Sequence, residues 1–355
     1  DYRASDHLYL MLKSNPEVMN GLVKYLSKGW DKSSGEINTQ EELDVDTTGI
    51  LYITTPLRER KSMNKEVDVI PLPLLKKQAA LFTDDIRRLL IYKDKLPRAV
   101  FIDYLRILCG LHLTLYTMKV VYLLPKMIEA GTREVEDDWS MVVDVTDNLD
   151  SIVAPYACKD IERMENSYGK YIRATYMIDI IQDRKSCSVD EALRILKEDN
   201  DKQGEYYEVK LKDIENNLPN SDEKEFDKND FREMLEFFPE NDYFDMFVHV
   251  LEKSNLGASQ YRYLREFIDA VSMKNSSSML MADSRSKRHP RRGALGSKLL
   301  ETMVQLLVLK EKPNGGYETR SLSIDELASA IRERYGLIIN GIEDERFADA
   351  DVEMN

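Results

Sequence analysis

Four histidines and three cysteines in 355 residues leave this chain poor in the usual ligands of zinc. Cys109, Cys158 and Cys187 are far apart, with no C-x-x-C pair and no Cys/His cluster. That pattern argues against structural zinc and against a disulfide framework. The thiols read as reduced, mostly buried residues of a cytosolic protein. Also missing are the phosphate loop G-x-x-x-x-G-K-[ST], a G-x-G-x-x-G after a strand, the nucleophile elbow G-x-S-x-G and the zinc helix H-E-x-x-H. Nucleotide-driven chemistry and the familiar hydrolases therefore have no motif to rest on. We expect no cofactor, no metal ligands and no catalytic residues. Net positive charge is missing too. The chain carries −14, so wholesale wrapping by nucleic acid is opposed by its own field.

What is present is apolar periodicity under a heavily charged surface. Apolar residues make up 43% and charged residues 32%, enough for real cores. The one long apolar run is "ILCGLHLTLYTMKVVYLL" (107–124), with Lys119 as its single charge. Gly110, His112, Thr114 and Thr117 interrupt it, so we expect a buried central helix and no membrane span. That helix starts at "LPR" (96–98) and should end near Pro125. Asn15-Pro16 predicts a helix start, with Asn as N-cap and Pro at the first helical position. Asp84-Asp85 is expected to cap a helix striped by Ile86, Leu89 and Leu90. Cys158–Asp183 reads as one long helix. "SVDE" (188–191) and "SIDE" (323–326) are capping boxes at two independent helix starts. "ILYITT" (50–55), "EVDVIPL" (66–72) and "SMVVDVTD" (140–147) are expected as short strands.

These elements imply a mainly α fold, with a multi-helix N-terminal domain, a few short strands and a C-terminal winged-helix-like module. The expected order is a helical domain 1–197 around buried helix 98–124, a charged linker or excursion 198–230, a helical region 231–283, a basic connector 284–293 and the module 294–355. Helix, short strand, helix is how a winged helix begins. A recognition helix should follow Gly336, yet "LIINGIEDERFADADVEMN" is acidic and Arg346 is its only cation. That favours protein docking over groove reading. Asp1 at the start and the "DADVEMN" end lead us to expect a piece of a longer chain.

Four constellations bear on chemistry. Arg285, Lys287, Arg288, Arg291 and Arg292 put five cations in nine residues, with His289 among them. They could neutralise several phosphates. The alternative is a solvated linker, or an arm laid on the protein's own acidic surface. His112 reads as a hydrogen-bonded core histidine before it reads as a catalytic one. Asp144 and Asp147 could serve a hard cation, with a strand end plus N-cap as the plainer account. Glu208 and Lys210 form an E-x-K tripeptide of the kind a metal-dependent nuclease carries on a strand, without a clean preceding strand Asp.

The runs 96–125, "MVVDVTD" (141–147), "SRSKR" (284–288) and "SIDELASAIRERYGLIINGI" (323–342) resemble an accessory protein of bacterial anti-phage defence islands, of the methylation-associated defence type. The similarity spans about half of the chain. It implies a cytoplasmic protein encoded beside ATPases, methyltransferases or nucleases and acting within a larger assembly. It carries over no catalytic residues. The leading expectation is a non-enzymatic scaffold or adaptor, with contact to DNA through the basic connector left open. A sequence-tolerant DNA-binding protein and a metal-dependent nuclease stand as the alternatives.

Overall fold

The structure, a computed structural model, describes residues 4–29, 73–146, 151–198, 204–219, 227–253, 255–273, 279–281, 291–340 and 344–347. The strands expected at 50–55 and 66–72 lie outside these residues, as does Asp147. The described chain is mostly helical, with a few short strands. It divides into two units. Unit 1 comprises 1–116, 140–161 and 269–355, and unit 2 comprises 117–139 and 162–268.

Unit 1 begins with helices α1 (Ala4–Lys13) and α2 (Pro16–Leu26), which pack on α3 (Lys76–Leu90). The Asn15 side chain accepts from the Val18 N–H at 3.3 Å and caps α2 as expected. Val18, Leu22 and Tyr25 form its buried stripe at helical spacing. Helix α3 departs from expectation. It starts eight residues before Asp84, and both aspartates lie inside it. Gln78, Ala79, Phe82, Asp85, Ile86 and Leu89 line its buried face. The cap reading failed because an Asp pair next to apolar residues looks the same at a helix start and on a helix flank.

Helix α4 (Arg98–Ala130) is the apolar one, and its residues are shared between the two units. It is long and apolar enough to cross a membrane, yet 83% of its most apolar window is buried inside the protein. Its polar members are satisfied locally. The Thr114 hydroxyl donates to the Gly110 carbonyl at 2.8 Å, and Lys119 meets Asp137 at 2.8 Å. The expected stop at Pro125 does not occur. The helix runs through Pro125 to Ala130. Proline there forfeits one backbone hydrogen bond, but Leu123, Leu124 and Met127 on either side are buried and hold the turn together.

A narrow sheet joins three distant stretches of unit 1. Strand β1 (Met141–Val142) pairs parallel with β6 (Leu337–Ile338). On its other side Asp144 bridges Ala294 in parallel. Strand β2 (Leu280–Met281) then pairs antiparallel with β3 (Arg292–Gly293). At Gly293 an added Cβ would lie 3.0 Å from the Val142 carbonyl oxygen, so any larger residue requires the neighbouring strand to give. The strand expected over 140–147 is cut short because Asp144 folds back on the chain. Its Oδ1 accepts from the Thr146 N–H at 2.9 Å, a turn that ends pairing.

After β3 come α12 (Ser297–Leu307), the hairpin β4 (Leu309–Glu311) and β5 (Tyr317–Thr319), and α13 (Ile324–Tyr335). The predicted capping box is complete. Ser323 Oγ accepts from the Glu326 N–H at 3.2 Å, and the Ser323 N–H donates to Glu326 Oε2 at 2.7 Å. Gly336 ends α13 with φ +72°. Where a third helix would enter, the chain makes β6 instead. Val142, Ala157, Ile338 and Phe347 close a small apolar cluster there. Arg346 is not a groove-reading cation in this setting. It donates to Asp160 and Asp344, each at 2.8 Å.

Unit 2 is helical. The stretch 158–183 forms two helices where one was expected: α5 (Ala154–Asn166), whose residues up to Ile161 belong to unit 1, and α6 (Tyr168–Lys185). The Ser167 hydroxyl bonds the Arg163 carbonyl at 3.0 Å, and such back-bonding bends a helix. Helix α7 (Val189–Glu198) packs on α6. Inside the charged stretch 198–230 lies α8 (Glu205–Asn217), held by buried Tyr207 and Leu211 one turn apart. It packs against α9 (Lys228–Leu235) and α10 (Tyr243–Lys253). Helix α11 (Asn255–Val271) follows, with Leu264 and Ile268 fully buried.

Candidate functional site

Arg285, Lys287 and Arg288 of the basic run lie outside the described residues. Arg291 and Arg292 lie within them and are both held by carboxylates. Arg291 is paired with Asp269. Arg292 is 5% exposed, and its Nε sits 3.3 Å from Asp144 Oδ2. Asp144 also accepts from the Thr146 hydroxyl at 2.9 Å and the Ser151 hydroxyl at 3.0 Å. Its Oδ1 thus faces three chain donors in a turn, and the helix N-cap expected with the strand end is not made. Among the described residues no group of three or more His, Cys, Asp or Glu side chains is arranged to hold a metal ion.

Glu208 and Lys210 do not form the nuclease geometry. They sit on α8, where residues two apart diverge by about 200°. On a strand they would share a face. Glu208 instead pairs with Lys212 one turn on, at 2.5 Å.

The densest polar constellation in unit 1 is centred on Asp85, which is 0% exposed. Helix α3 supplies Asp84, Asp85, Arg87 and Arg88, α4 supplies His112, and the last turn of α13 supplies Arg334 and Tyr335. Asp85 Oδ2 accepts from His112 Nε2 at 2.9 Å and from the Tyr335 hydroxyl at 2.8 Å. Its Oδ1 accepts from Arg334 Nε at 3.1 Å, and Arg334 Nη2 closes a second bond. The same Nη2 reaches Asp84 Oδ2 at 2.6 Å. Gln78 lies 3.0 Å from His112 Nδ1. Since the carboxylate can only accept, His112 donates from Nε2, and its Nδ1 faces the Gln78 side-chain amide. Asp85, His112 and Tyr335 are fully buried, so the desolvation cost is high and is offset only because each charge has a partner.

The electrostatics follow from that packing. Burial pushes the Asp85 carboxyl up, but the hydrogen bond and charge of His112, with Arg334, more than reverse it. Burial also pushes Asp84 up, and hydrogen bonds from Arg87, Arg334 and Arg88 leave it well below the usual carboxylate range. Burial and the Asp85 charge push the Tyr335 hydroxyl far up. All three groups therefore hold one protonation state at neutral pH.

Next to this centre, the same helix α3 holds the C-terminal segment by its backbone. Arg88 Nη1 donates to the Leu306 and Leu309 carbonyls at 3.1 and 2.9 Å, covering the free end of α12. The Tyr92 hydroxyl donates to the Gln305 carbonyl at 2.8 Å.

A carboxylate, an imidazole and a phenol in contact are groups that could do acid–base work. Here they are fully buried, and their hydrogen bonds go to one another, to Gln78 and to Arg334. The centre is a clamp joining α3, α4 and α13. A family model described as methylation-associated defense system protein MAD7 matches residues 1–355. The chain belongs to that family. The resemblance carried by runs 96–125, 141–147, 284–288 and 323–342 is thereby extended to the whole sequence. No curated protein and no solved structure matches. Three of the family runs meet in the structure: His112 comes from the first, β1 from the second, and Arg334, Tyr335 and β6 from the last.

His112 was visible from sequence as a core histidine. Asp85, Arg334 and Tyr335 were not. The one local signal was Asp84 and Asp85 followed three residues later by Arg87 and Arg88, charges too many for the flank of an otherwise apolar helix.

Proposed function

We propose that this defence-system protein is a non-enzymatic scaffold or adaptor that works in the cytoplasm among other components of its system. The observation that carries the reading is the Asp85 clamp. It spends the protein's most reactive-looking groups on fixing one helix against two others, as a platform requires. We read the order helix, hairpin, helix over 297–335 as a winged-helix-like module used for docking proteins, since acidic residues follow it. Purification of the chain from its native gene neighbourhood tests the reading. We expect at least one co-encoded protein to come through in fixed stoichiometry. Recovery of the chain alone under gentle salt overturns it.

A contact with DNA through residues 285–292 is the second reading. It is favoured by the pairing of Met281 with Arg292, between which Arg285, Lys287 and Arg288 fall in the sequence. Replacing Arg285, Lys287 and Arg288 with glutamine should abolish a salt-dependent gel shift. No shift by the unmodified chain at low salt removes this reading. Plasmid left intact in Mg²⁺ and Mn²⁺ removes the nuclease.

A further inference from the structure

Unit 2 holds 30 acidic against 19 basic side chains, a net of −11 out of the chain's −14. Within it the turn after α9 displays an aromatic ring to solvent. Phe237 is 90% exposed, and Glu233, Glu236 and Glu240 beside it are exposed and make no ion pair among the described residues. The turn is built. The Phe238 N–H donates to the Leu235 carbonyl at 3.1 Å, and the Asp242 N–H to the Pro239 carbonyl at 3.2 Å. Phe238 packs inward, its ring 5.2 Å from that of His249, while Phe237 points out. Asn241 supports the bend with φ +72°, a conformation that Asn tolerates better than most residues.

Scattered exposed apolar residues are ordinary, but this large ring, held out on a fixed turn, adds little to the packing of the described residues. An aromatic anchor with a charged rim is how binding hot spots are organised. We infer that Phe237, rimmed by Glu233, Glu236 and Glu240, is a docking point for a protein partner whose lysine- or arginine-rich surface surrounds an apolar recess. Charge selects that occupant. The field of unit 2 draws in a cationic surface and repels nucleic acid and a second acidic copy of this chain.

The inference rests on the reading that the chain acts among other components of its system. The test uses the full chain and each co-encoded protein, purified separately, with binding measured at 50 and 300 mM NaCl, roughly bracketing physiological screening. One component with a basic face should bind. Phe237→Ala should weaken it by about tenfold or more at both salts, with an unchanged melting curve because the ring is exposed. Glu233→Lys with Glu236→Lys and Glu240→Lys should weaken it chiefly at low salt. If the unmodified chain binds no component, both this surface and the scaffold reading fail. If a component binds equally well to Phe237→Ala and to the triple variant, this surface fails and the scaffold reading stands. If sedimentation shows that Phe237→Ala splits a dimer, the occupant is a second copy and the inference is overturned.

Discussion

Unit 1 buries carboxylates in ion pairs, whereas no described carboxylate of unit 2 is buried. In unit 1, Asp85, Arg292, Asp144 and Asp160 are all nearly inaccessible, and each is held by an opposite charge from another stretch of sequence. In unit 2 pairs such as Arg232 with Glu215 lie nearer to solvent, although Lys119 with Asp137 is largely buried, and Glu233, Glu236 and Glu240 make no ion pair among the described residues. The difference teaches where stability and contact reside. A buried pair broken on one side leaves an uncompensated charge, while an exposed pair gains little in high dielectric. Unit 1 is thus specified by its ions, and unit 2 by apolar stripes such as Tyr207–Leu211 and Phe244–Val248.

The sharpest way to break this contrast is at Asp85. Asp85→Ala strands Arg334, His112 and Tyr335 in the interior, and should cost about 3–5 kcal/mol of stability in denaturant unfolding. A loss near zero would mean that the clamp is not a source of unit 1's stability. Acid should come next. Both Asp84 and Asp85 have folded values below the ordinary carboxylate value, so their contribution is fully present above about pH 4. It is lost as pH falls through the folded values. Unfolding midpoints taken from pH 6 to pH 2.5 should drop below about pH 4, and Asp84→Asn should flatten that drop. The smallest effects should lie on surfaces. Asn15→Ala removes the cap of α2 and should cost about 1 kcal/mol, and Arg232→Ala in unit 2 about 0.5 kcal/mol or less. Equal losses for Arg232→Ala and Asp85→Ala would erase the distinction between the units.

Much of the helical skeleton was legible because its signals are local. Asn15-Pro16, the Ser323–Glu326 capping box and Gly336 act within one turn of themselves. The run 107–124 announced burial by composition alone. Local signals also misled where a neighbour decided the outcome. Pro125 is tolerated because buried residues flank it. Ser167 bends the chain by a bond that its type permits but does not compel. Two apolar residues, Tyr207 and Leu211, suffice to bury a helix in a stretch that reads as charged and linker-like.

The sequence by itself determined the class of this protein: helical, acidic, without a nucleotide or zinc motif, and a member of a defence-system family along its whole length. Those properties are sums or near-neighbour patterns, so a linear string contains them. Only the tertiary structure decided that Asp85 meets Arg334 across 249 residues, that Arg292 of the basic run is buried on Asp144, and that Phe237 rather than Phe238 faces solvent. Each of these depends on which surfaces the folded chain brings together. The energy of a buried charge or an exposed ring is set by its surroundings and not by its neighbours in sequence.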